Sequence, residues 1–259
     1  MTDVVTRARV LMLAATSIER DAAIDAVGAR TERTPKGTVH TELTMYALGK
    51  IGGSDLLLAQ VDEAGASSEA DMGEIASTAV RYSRPDYVIL VGTCHGLRPG
   101  GGQRVGDVLV SERVASLHHR QQADRSGGTG SGTQVLSREV DVRASALLVD
   151  RCRTAQDGWS RYRAGIHFGL MVCSDSPVDS AIDLDEFRTC HPTVMGGEAG
   201  GLGVLDAVVR TALDWIMVRA IAGWGSGKPD ASLDIAARNA VDFVTHVIAV
   251  GGLQRRQDR

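Results

Sequence analysis

The sequence predicts an α/β fold, a single domain in which a mixed β-sheet is flanked by helices. Three observations carry this. Apolar runs bounded by turn residues recur at 9–15, 55–61, 86–93, 106–116, 164–174 and 214–223, as expected of strands buried on both faces. Helix-like segments lie between them, and strands alternating with helices define this class. At 259 residues and 43% hydrophobic content the chain can build one full core. The expected unit is 1–259, with no internal repeat.

Each element has a local reason. "RVLMLAA" (9–15) is a short buried strand. "SIERDAAIDAVGA" (17–29) follows as a helix, with Ser17 as its expected N-cap and Glu19 in the first turn. "SEADMGEIASTAVRYS" (68–83) is a helix stopped by Arg84-Pro85, and "REVDVRASALLVDRCRTA" (138–155) and "DIAARNAVDFVTHVIAV" (234–250) are two more. "DRSGGTGSGTQ" (124–134) is expected to be a mobile loop within the domain. "MGGEAGGLGVL" (195–205) has five glycines and one acid. It is read as the entrance of a buried helix, where each glycine costs about 1 kcal/mol against alanine. The expected return is a ligand pocket lined by bare backbone; close helix packing is the alternative.

Composition excludes several classes. Net charge is −4 without a basic block, and aromatics are 4%, which argues against nucleic acid as partner. The apolar run near the N-terminus is too short for a signal peptide, and no stretch approaches the roughly 18 apolar residues of a membrane span. A cytoplasmic chain is expected. Cys94, Cys152, Cys173 and Cys190 show no C-x-x-C spacing, so they are read as reduced thiols and not a zinc site. No metal or cofactor is expected.

Ligands of open α/β sheets sit beyond the carboxyl ends of strands, which directs attention to 15–19, 91–97, 172–178, 195–201 and 221–228. "VGTCHGLRPGGGQRVGDVLVSERV" (91–114) places small residues after a strand, where backbone N–H groups can approach a ligand. This piece resembles the nucleoside phosphorylase superfamily of purine and uridine phosphorylases and methylthioadenosine/S-adenosylhomocysteine nucleosidases. There a strand enters a Gly-Ser/Thr-x-Gly-Gly loop followed by Gly-Asp-Val-Val. "VLMLAATSIERDAAIDAV", "GLMVCSDSPV", "DWIMVRAIAGWGSGKPD" and "DIAARNAVDFVTHVI" resemble further segments in the right order.

The resemblance implies a homo-oligomer, a small-molecule nucleoside-like ligand and a division of labour. Glu19 stands at the position of the nucleosidases' water-activating glutamate. A glutamate in Met-Glu-Gly/Ala holds the ribose diol, for which a bidentate carboxylate is suited. An aspartate in Ile-Ser/Cys-Asp protonates the leaving base, which requires an acid. Here that segment reads Ile221-Ala222-Gly223, so Gly223 replaces the acid, and Ser226 replaces the second acid of the Trp-Gly-Asp variant. Two registers compete for the ribose binder. Counting from Arg219 without a gap puts Gly200 on it and Glu198 two residues before; a two-residue insertion puts Glu198 on it. Phosphorolysis is not expected, because Leu90 stands where hexameric phosphorylases place an arginine, and "AATSIERD" replaces their phosphate segment.

The candidate catalytic residues are therefore Glu19, His95, Glu198 and Asp175. His95, in a loop the family fills with Gly or Ala, is read as the candidate for a new acid/base group, or else as a side chain that faces solvent or caps a carbonyl, and Asp175 as a substitute for the lost acid or a turn residue. The candidate substrate-binding residues are Thr93, Cys94, Gly96, Cys173, Met195, Gly197, Gly200, Gly223 and Trp224. Cys94 could equally be a small buried hydrophobe, Trp224 a packing residue, and His118-His119 a surface pair. The expected function is a diverged enzyme of this fold, as in specialised biosynthesis, acting on a small molecule without standard N-glycosidic cleavage. The alternatives are a non-catalytic nucleoside or nucleotide binder, and a purine nucleosidase with a relocated acid.

Overall fold

The computed structural model describes residues 7–31, 36–39, 43–61, 69–98, 101–117, 140–159, 164–174, 192–199, 201–224, 232–251 and 253. The strands are β1 (Arg9–Ala14), β2 (Lys36–Val39), β3 (Thr44–Ile51), β4 (Ser54–Gln60), β5 (Tyr87–Gly96), β6 (Val108–Leu117), β7 (Val140–Arg143), β8 (Ile166–Ser174), β9 (Val194–Ala199) and β10 (Asp214–Trp224). The helices among the described residues are α1 (Ser17–Thr31), α2 (Glu69–Ser83), α3 (Ala146–Gln156), α4 (Leu202–Val209) and α5 (Leu233–Gly251). The sheet is mixed and flanked by helices, as the alternation of patterns implied.

β5 is the axis of the sheet. It pairs in parallel with β1 on one edge and with β10 on the other, while its tip pairs antiparallel with β9. From β1 the sheet continues through β4, β3 and β2. On the other side β10 also pairs with β6, β6 with β8, and β8 with β9. The strands β5, β10, β6, β8 and β9 thus close into a ring, a way of removing exposed edges. The core follows β1, β5, β10 and the apolar face of α5, where Ala237, Ala240, Val244 and Ile248 are buried at helical spacing.

Several boundaries differ from those the sequence suggested. The glycine-rich stretch is not a helix entrance: Val194–Ala199 is β9, and α4 begins only at Leu202. The small residues let the strand lie flush between neighbours; a Cβ on Gly196 would run into Leu109 and the carbonyl of His95. α4 is short because Asp214 already opens β10. Residues 140–143 form β7 on the edge of β6, so α3 starts at Ala146 and not at 138. β3 buries Met45, Leu48 and Ile51 at intervals of three, because a bulge between Ala47 and Gly49 shifts the register; a search for period two passes over it. α1 is capped by Thr16, one residue before the expected Ser17. Thr16 Oγ1 accepts from the N–H of Glu19 at 3.3 Å, and Glu19 Oε2 accepts from the N–H of Thr16 at 3.1 Å, a reciprocal capping box.

The Gly106-Asp107-Val108 turn is a structural knot. Asp107 is buried. Its carboxylate accepts from the N–H of Arg104 at 2.9 Å and of Gly165 at 2.7 Å, and meets His167 Nε2 at 2.9 Å. Its carbonyl accepts from Ile221 N–H at 2.9 Å. One side chain therefore fixes where β6 starts relative to β8 and β10. Asp175, Gly200, Ser226, His118, His119, Cys190 and the 124–134 loop lie outside the described residues. No helix among the described residues is long and apolar enough to cross a membrane.

Candidate functional site

The carboxyl ends of β5, β8, β9 and β10 meet over a buried ionic cluster. Arg219 comes from the middle of β10 and is 4% exposed. A guanidinium taken out of water needs anionic partners, and it has two. Its Nη2 lies 2.5 Å from Glu198 Oε2, and its Nη1 lies 3.8 Å from Glu19 Oε1. Nη1 also donates to the carbonyl of Val91 at 3.2 Å. Gly92 makes room for the arrangement, since a Cβ there would overlap both the Arg219 guanidinium and the Glu19 carboxylate.

Glu19 is buried, and its carboxylate is filled. Oε1 accepts from the N–H of Thr93 at 2.6 Å and from its hydroxyl at 3.1 Å. Oε2 accepts from the N–H groups of Ala15 at 2.8 Å and Thr16 at 3.1 Å. A carboxylate has about four lone-pair sites, and four donors occupy them. In this arrangement Glu19 ties the start of α1 to the end of β5.

Glu198 is equally committed. Besides Arg219 it accepts from Cys173 Sγ at 3.4 Å, and a Cβ on Gly201 would collide with it. Burial pushes its carboxyl above the usual range; Arg219 opposes that shift and Glu19 adds to it. For Arg219 burial works against the charge, but Glu198 and Glu19 together hold the guanidinium protonated, with its pKa raised. Burial likewise pushes the thiol of Cys94 well up, so Cys94 is an inert small group beside the cluster and not a nucleophile. Cys152, in α3 and away from the site, is pushed up to about 12 for the same reason.

The opposite face of the same strand ends carries the row around His95. His95 on β5 is directly across from Gly197 on β9 and from Gly223 on β10. Residues in register on neighbouring strands project to the same face, about 4.8 Å apart. The row Gly197–His95–Gly223 thus holds one side chain between two glycines, and Thr93 precedes His95 by two on the same face. A Cβ on Gly223 would meet no described atom within 4 Å. His95, half-buried, stands beside it.

The remaining candidates divide. Gly96 and Trp224 belong to packing: they are in register, and a Cβ on Gly96 would strike the indole ring. Met195 lies against Gly169 and lines a cavity of about 660 Å³ toward the start of β8, away from the Gly223 face. Cys173 is buried against Glu198. The cluster around Arg219 was not anticipated, although a lone arginine in the apolar run "DWIMVRAIAG" signals buried acids nearby. Among the described residues no group of His, Cys, Asp and Glu could hold a metal ion.

This is an α/β fold with a site at the carboxyl ends of its strands, the architecture of nucleoside-processing proteins. The phosphorylase superfamily model matches residues 9–249, and the chain belongs to that superfamily. It is 26% identical over 207 residues to the 5'-methylthioadenosine/S-adenosylhomocysteine nucleosidase of Haemophilus influenzae, covering 77% of this chain and 83% of that protein. It is 23% identical over 216 residues to the death domain-containing ATP nucleosidase of Amphimedon queenslandica, covering 77% of this chain but only 40% of that protein's length. The methylthioadenosine/S-adenosylhomocysteine nucleosidase of Colwellia psychrerythraea, solved in complex with adenine, superposes with a TM-score of 0.73 at 18% identity, covering 97% of this chain and 98% of that one. The fold is that of the nucleosidases.

Proposed function

We propose that the chain holds an adenine-type nucleoside or nucleotide in the pocket bounded by Thr93, His95, Gly197 and Gly223, and does not cleave its N-glycosidic bond at the rate of a working nucleosidase. The relatives are named as nucleosidases, and the Colwellia structure contains adenine, which supports the ligand class. The observation that carries the loss of cleavage is Gly223: where the resemblance implies an acid there is no side chain, and a Cβ would meet no described atom within 4 Å. Losing a general acid costs 10²–10⁴ in rate. Glu198 spends its carboxylate on Arg219, which favours the gapless register, with Gly200 in place of the ribose-binding acid. Glu19, with four donors already on it, has no lone pair left for water. Any proton transfer in a repurposed reaction then falls to His95 or Asp175.

The test is incubation with methylthioadenosine, S-adenosylhomocysteine, adenosine, AMP and ATP, following free base by chromatography and binding by thermal shift. Stabilisation by at least one of them without base release is the expected result. Rapid base release that disappears in Glu19→Gln would overturn the proposal in favour of a nucleosidase with a relocated acid.

A further inference from the structure

The row across β9, β5 and β10 deepens that reading and rests on it. Gly197, His95 and Gly223 are in register on three adjacent strands, so His95 supplies the only side chain of the row. On the β10 side a Cβ at Gly223 would touch no described atom within 4 Å. The imidazole is half-buried, which excludes much of the competing water. Neither tautomer of a neutral imidazole lacks an N–H, and either can donate to an acceptor in the plane of an aromatic base. The charged side chains nearby are already engaged: Arg219 is held by Glu198 and Glu19, and Glu19 also takes the N–H and the hydroxyl of Thr93.

We infer that His95 makes the contact to the nucleobase that position 223 cannot, donating a hydrogen bond to a ring nitrogen of an adenine-type base. The ligand class comes from the proposed function, and the donor narrows it to a heterocycle with an unprotonated ring nitrogen on its exposed edge, which adenine offers. His95 is then the residue that sets base specificity.

Adenosine and its 1-deaza, 3-deaza and 7-deaza analogues, each with one ring nitrogen replaced by carbon, test this by calorimetric titration. One analogue is expected to bind the wild-type chain about tenfold more weakly than adenosine, the cost of one lost hydrogen-bond partner. That difference should vanish in His95→Ala, and also in His95→Phe, which keeps ring bulk and removes the N–H. The second variant covers the case in which alanine fails to fold. Equal binding of all four compounds by the wild type, or discrimination that survives in a folded variant, would overturn the inference while leaving the pocket assignment standing. If no adenosine compound binds the wild type at all, the pocket assignment falls and the inference with it.

Discussion

Arg219 and Glu198 form a buried ion pair that bridges β10 and β9, with Nη2 and Oε2 2.5 Å apart and both side chains under a tenth exposed. The pair ties together the two strands that flank the tip of β5, at the level where the site begins. Arg219→Met would leave Glu198 and Glu19 facing each other without the guanidinium between them. Breaking a buried pair by removing one partner typically costs 3–5 kcal/mol. A loss of about that size in urea-derived stability is expected, and a loss under about 1 kcal/mol would show that the pair is not structural.

The same pair makes stability depend on pH in a stated direction. Burial raises the Glu198 carboxyl above its ordinary 4.5, so the folded chain holds this proton more tightly than the unfolded chain. Where the native state binds more protons, stability falls as pH rises. The penalty from Glu198 is absent below about 4.5, grows as pH climbs from there to the raised folded value, and is complete above it. Glu198→Gln removes that contribution. The stability of the variant relative to wild type should therefore improve as pH rises through this window, measured as the difference in urea midpoint across pH 4 to 8. A gap that moves the other way would mean that Arg219 outweighs burial at this site.

Two glycines make a paired test of where space exists. A Cβ on Gly92 would overlap Glu19 and Arg219, whereas a Cβ on Gly223 would meet nothing described within 4 Å. Gly92→Ala should destabilise by about 1–3 kcal/mol or more, as overpacking does, and lower Tm by several degrees. Gly223→Ala should stay within about 1 kcal/mol of wild type. Equal effects at the two positions would contradict the arrangement of the site.

What could be read from the sequence follows from which physics was local. The buried strands announced themselves because "DYVILVGT" and "DWIMVRAIAG" are apolar on both faces. Glu19 was locatable because it sits in the first turn of a helix, and the Thr16-x-x-Glu19 spacing of its capping box was legible too, though the cap was assigned one residue late. β9 was not legible. Met195-Gly196-Gly197-Glu198 has no period, and it becomes a strand only because β5 and β8 offer hydrogen-bond partners on both sides, a tertiary override of weak local preference. The row Gly197–His95–Gly223 was invisible for the same reason: each residue was in view, but their adjacency depends on two register assignments among three strands far apart in the chain.

The last prediction concerns restoring what the family's chemistry needs. Gly223→Asp places a carboxyl on the open face beside His95, and the space there predicts a folded protein with Tm close to wild type. A proton donor for the departing base is worth 10²–10⁴ in rate, so at least a tenfold rise in adenine release from methylthioadenosine is expected over the wild-type background. The sugar end sets a second limit. With Glu198 held by Arg219 and Glu19 filled by four donors, neither carboxylate of the cluster is left for a ribose diol, and the gapless register points to Gly200 as the vacated position. The double variant Gly200→Glu/Gly223→Asp should therefore release adenine faster than either single change, chiefly through a lower KM from the added sugar contact. If neither single variant nor the pair raises base release, the missing acids are not what holds the reaction back, and the loss must lie in how Glu19, saturated by Ala15, Thr16 and Thr93, has been withdrawn from water.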